Sequence, residues 1–72
     1  MEKITVLQFL CSQFGWQGGT IHQALQELKD RCNSGIGDFN KGVISMMWKE
    51  YLKEDIIDVK TSGFKEVENI LK

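Results

Sequence analysis

The chain has 72 residues and a mass of 8.3 kDa, with nine Lys and Arg residues against ten Asp and Glu, a formal net charge of −1 and 42% apolar residues. That length makes residues 1–72 a single domain without room for a large internal cavity, because so short a chain buries only about 60% of its unfolded surface. The even charge balance excludes the strongly cationic class whose affinity for nucleic acid is mostly phosphate neutralisation.

No apolar run approaches the roughly 18 residues of a membrane-spanning helix. Met1-Glu2-Lys3 is followed by Ile4 to Cys11, which Thr5 and Gln8 interrupt. This run is too polar for the core of a secretion signal, and no small-residue cleavage site follows. A cytoplasmic chain with no membrane contact is expected. Cys11 and Cys32 fall on successive helices joined by a turn near Gln17. In an antiparallel hairpin the residue facing Cys11 is about 13 Å from Cys32 along the helix, at 1.5 Å per residue. A disulfide needs Cα atoms within about 7 Å, so both read as free thiols.

In chain order, Ile4, Leu7, Cys11 and Phe14 recur at helical spacing, and Val6, Phe9 and Leu10 widen the apolar face. A first helix of this kind is buried on more than one side. Gly15 to Gly19 is a turn. Thr20 offers an N-cap and Gln23 the reciprocal partner of a capping box, opening a second helix over 20–32 with Ile21, Ala24, Leu25, Leu28 and Cys32 on one side. Lys29 and Arg31 stand in its last turn, where the helix dipole favours positive charge. Asn33 to Gly37 is a loop. Asp38 is the expected cap of a third helix reaching about Glu54, with Phe39, Val43, Ile44, Met47, Trp48, Tyr51 and Leu52 as its apolar positions. Gly42 inside it costs about 1 kcal/mol against Ala. Asp55 to Lys60 fits a short strand or an extended linker equally. Thr61 or Ser62 opens a last short helix carrying Phe64, Val67, Ile70 and Leu71. The expected fold is all-α: a compact bundle of three to four short helices with a helix-turn-helix-like hairpin and room for a minor β ribbon.

Catalytic signals are scarce. His22 has no second histidine to share a metal, and the cysteines lack ligand spacing. The acidic pairs Glu50/Glu54 and Asp55/Asp58 fall on a helix surface and its end, where solvation is the ordinary role of carboxylates. Gly18-Gly19-Thr20 leads into a helix but is not followed by the lysine of a nucleotide-binding loop, so a turn and a cap account for it. A non-enzymatic chain without metal, cofactor or small-molecule substrate is expected.

Two surfaces carry the functional expectation. Between Leu7 and Gln26 the small residue Cys11, the glycine four later (Gly15) and the branched residue six after that (Ile21) occupy the key places of a known pattern, with Leu10, Phe14, Trp16 and Ala24 at its packing places. The segment resembles the helix-turn-helix DNA-binding families, and residues 19–28 are similar to recognition helices of some winged-helix repressors. The outward positions Gln17, Thr20, His22, Gln23 and Gln26 all hydrogen-bond and none is acidic, which suits base edges. On that reading Lys29 and Arg31 hold phosphates, and the protein is a DNA-binding regulator using helix 20–32. The alternative is a protein-binding adaptor, subunit or inhibitor, homodimerisation included. It would dock through Trp16 and a band of Met46, Met47, Trp48 and Tyr51, because methionine and aromatics adapt to partners and bury much area.

Overall fold

Phe9 stands at the centre of the interior, and the elements are arranged by what they bring to it. The computed structural model describes residues 2–16, 18–34 and 41–72. Among the described residues four helices follow in order: α1 (Val6–Phe14), α2 (Ile21–Ser34), α3 (Lys41–Lys53) and α4 (Phe64–Ile70). The all-α bundle is therefore the observed fold. Its core takes Val6, Phe9 and Leu10 from α1, and Ala24, Leu25 and Leu28 from α2. Ile44 and Trp48 come from α3, Val67 from α4, and Ile57 and Leu71 from outside the helices. The Phe9 ring meets Trp48 edge-on with centroids 4.9 Å apart and Tyr51 at 5.6 Å, and Trp48 in turn lies 5.2 Å from Phe64. The two edge-to-face pairs of Phe9 add about 0.5–1.5 kcal/mol each beyond their burial.

The first helix starts later than its apolar spacing suggests. Ile4 lies outside it, because Thr5 caps α1: the Thr5 hydroxyl accepts from the Gln8 N–H at 3.1 Å, and Gln8 Oε1 accepts from the Thr5 N–H at 2.7 Å. Ile4 instead extends toward residues 56–58. Its N–H donates to the Ile56 carbonyl at 2.8 Å and its carbonyl accepts from the Asp58 N–H at 2.9 Å, forming a parallel bridge to Ile57. That isolated bridge is what stands in place of the strand or ribbon that residues 55–60 suggested. Gly15 ends α1 in the left-handed conformation (φ +66°), its N–H donating to the Cys11 carbonyl.

The capping box expected for the second helix is present. The Thr20 hydroxyl accepts from the Gln23 N–H at 3.2 Å and Gln23 Oε1 from the Thr20 N–H at 2.9 Å. Asp38 and Phe39, expected to open the third helix, lie outside the described residues. The last helix is opened by Gly63 (φ +87°) rather than Thr61 or Ser62. Thr61 is occupied elsewhere: its hydroxyl donates to the Asp58 carbonyl at 2.7 Å and accepts from the Val6 N–H at 3.3 Å, tying this turn to the start of α1.

Candidate binding surfaces

The outer face of α2 presents the expected polar strip, but most of its side chains already have partners. Thr20 and Gln23 cap each other, and Gln26 Nε2 donates to Asp30 Oδ1 at 3.1 Å. His22 and Lys29 are exposed. Arg31 is half-buried and pairs with Glu27 at 2.6 Å. At about 100° per residue, Lys29 and Arg31 fall on opposite flanks of the helix with Asp30 between them on the solvent side. Lys29 and Arg31 are balanced by Glu27 and Asp30 within the helix. Gln17, the remaining base-reading candidate, lies outside the described residues. Six residues, 15–20, separate the two helices, against the roughly three- or four-residue turn of a helix-turn-helix unit, and Gly18 and Gly19 at positive φ stay outside α2.

The methionine–aromatic band divides in two. Trp48 is only 3% exposed, against Phe9 and Phe64, and so is corrected from surface to core. Its indole N–H is buried without a partner among the described residues. Tyr51 is half-buried against Phe9, and Met47 is also half-buried. Met46, by contrast, is 71% exposed, and at about 100° per residue it points directly away from Ile44 and Trp48. Val43, one turn before it, is 48% exposed. Trp16 is half-buried against the core, and a Cβ on Gly19 would come within 3.3 Å of its ring and collide with Gln23 Oε1. The turn glycine therefore lets the indole fold over the start of α2.

A shallow open groove runs along this side of α3. Gly42, Val43, Ser45, Met46 and Leu71 line it together with Lys41 and Lys49. In the sequence Lys41 reads as one of several scattered basic residues and Lys49 is not singled out; their spacing from Met46 on one helix is the signal that groups them. On the neighbouring flank, Cys32 is half-buried near Lys29 and Lys41. Burial pushes its thiol pKa up, and the Lys41 ammonium works weakly in the other direction. Both cysteines are free. Among the described residues, no cluster of acidic, His or Cys side chains is arranged to hold a metal, and no helix is long and apolar enough to cross a membrane.

The framework is thus a small all-α bundle whose exposed features are side chains on helix surfaces. No protein-family model matches the chain, and neither a curated protein nor a solved structure shows significant similarity to it.

Proposed function

We propose that this chain is a non-enzymatic protein-binding module that docks through the outward face of α3, centred on Met46. The observation that carries this reading is the 71% exposure of Met46, the most exposed large apolar side chain among the described residues, beside a half-exposed Val43. A flexible thioether on a helix surface adapts to a partner and removes substantial apolar area from water. The polar strip of α2 supports a nucleic-acid role less well. Gln23, Gln26 and Arg31 are engaged with Thr20, Asp30 and Glu27, and the helix carries no net positive charge to attract phosphate.

The test is capture from native lysate by immobilised wild-type and Met46→Glu chains, with and without nuclease. The expected result is a discrete protein retained by the wild type, resistant to nuclease and lost with Met46→Glu. The variant should keep its urea-unfolding free energy within about 0.5 kcal/mol, as exposed substitutions do. Capture unaffected by Met46→Glu, or abolished by nuclease, would overturn the reading.

A further inference from the structure

The charge pattern around Met46 specifies what kind of partner fits, provided the α3 face is the docking surface. Lys41, Lys49 and Lys53 stand against the single acid Glu50 on α3, for a helix charge of +2. Of the others, α1 has no charged residue, α2 is balanced, and α4 carries Lys65 against Glu66 and Glu68. Of the four described helices, α3 alone carries net positive charge, and it is the one that exposes Met46. The groove beside Met46 is lined by Gly42, Val43, Ser45, Met46 and Leu71 together with Lys41 and Lys49, and no carboxylate lines it. At about 100° per residue both lysines fall on one flank of Met46, and the exposed Glu50 falls on the other, outside the groove. Gly42 adds no side chain there, so a bound backbone can approach closely. The two ion pairs among the described residues, Lys3–Asp55 and Arg31–Glu27, involve none of the α3 lysines.

We infer that the partner is an acidic peptide segment that lays an apolar side chain against Val43, Met46 and Leu71 and sets carboxylates opposite Lys41 and Lys49. The apolar contact supplies affinity, and the lysines choose among partners and speed the encounter, as complementary charge does at interfaces.

The test uses random peptides displayed on phage, selected on the intact 72-residue chain. Enriched peptides should carry Asp or Glu on either side of an aliphatic or aromatic residue. A synthetic copy of the best peptide should bind about tenfold more weakly to Lys41→Glu/Lys49→Glu. Its affinity should also fall as salt rises from about 0.1 M to about 1 M, where the screening length drops from ~10 Å to ~3 Å. Uncharged peptides whose binding is lost with Met46→Glu but unaffected by the lysine reversals would overturn the acidic partner while leaving the docking face intact. Peptides indifferent to Met46→Glu would overturn the docking face itself. A wild-type dimer in light scattering that Met46→Glu converts to monomer would make a second copy the occupant and overturn the inference. Tight binding of a short duplex DNA, lost with the lysine reversals, would do so too.

Discussion

Gly63 shows how much a single residue decides. It opens α4 with φ +87°, a conformation that L side chains rarely adopt. A Cβ there would lie 2.9 Å from Leu25 Cδ1 and 3.4 Å from Ile21 Cγ1 on α2. Gly15 also has positive φ, but a Cβ on it would meet nothing within 4 Å. Gly15→Ala should therefore cost only the left-handed backbone penalty, about 1–2 kcal/mol. Gly63→Ala should cost more, by about 1–3 kcal/mol, because it also overpacks the α2–α4 contact. Urea unfolding of the two variants gives the ranking, and the opposite order would mean that α4 does not sit this closely on α2. The sequence marked Gly15 as a turn from its neighbours. The demand on Gly63 comes from α2, about forty residues earlier in the chain, so no local pattern announces it.

At the scale of elements, the ends of the helices were more legible than their partners. Thr5-x-x-Gln8 and Thr20-x-x-Gln23 are the same capping signature, and both boxes form. Only the second was read, because the apolar spacing from Ile4 obscured the first. The end of α3 is a Schellman arrangement: the Ile56 N–H donates to the Tyr51 carbonyl at 2.8 Å and the Asp55 N–H to the Leu52 carbonyl at 3.1 Å. Asp55 takes the left-handed position (φ +60°) where glycine is usual, and its carboxylate pairs with Lys3 at 3.0 Å. Both partners of that pair are substantially exposed, so it contributes little. Asp55→Gly should accordingly raise stability by about 0.5–1 kcal/mol, the relief of the backbone outweighing the lost pair. A lower thermal midpoint for Asp55→Gly would show that the Lys3 pair outweighs the strain. Residues 55–60 read ambiguously for a physical reason: Ile56, Ile57 and Val59 suit a strand, but Ile4 supplies only one bridge of backbone pairing.

For the molecule as a whole, the radius of gyration of 11.4 Å matches the roughly 11 Å of a close-packed chain this long. Among the described residues no polar or charged side chain is fully buried, and partial burial shifts the protonation of Cys32. Its folded pKa is raised above the ordinary 9.0 because desolvation disfavours the thiolate, with Lys41 opposing. The folded chain then holds that proton more tightly than the unfolded chain. The corresponding stability is fully present below the ordinary thiol value and is lost as pH rises through the raised folded one. Urea midpoints measured from neutral pH into the alkaline range should fall more steeply for the wild type than for Cys32→Ala. Parallel curves would show that burial does not disfavour the thiolate at this position.

Composition and apolar spacing alone determined the all-α class, the α2 cap and most of the core, because each depends on residues within a turn or two of one another. Ala24, Leu25, Leu28 and Ile44 are buried at the helical positions that spacing assigned them. On α1, by contrast, the fully buried residues are Val6, Phe9 and Leu10, which only widened the expected face, and Leu7 and Cys11 of the expected stripe are half-buried. Only the tertiary structure decided which side of α3 faces inward. The apolar residues of α3 nearly encircle it, so periodicity offered Met46, Met47, Trp48 and Tyr51 as one band. The rings of Phe9 and Phe64, supplied by α1 and α4, draw Trp48 in. The rigid geometry of the helix then turns Met46, two residues away, out to solvent.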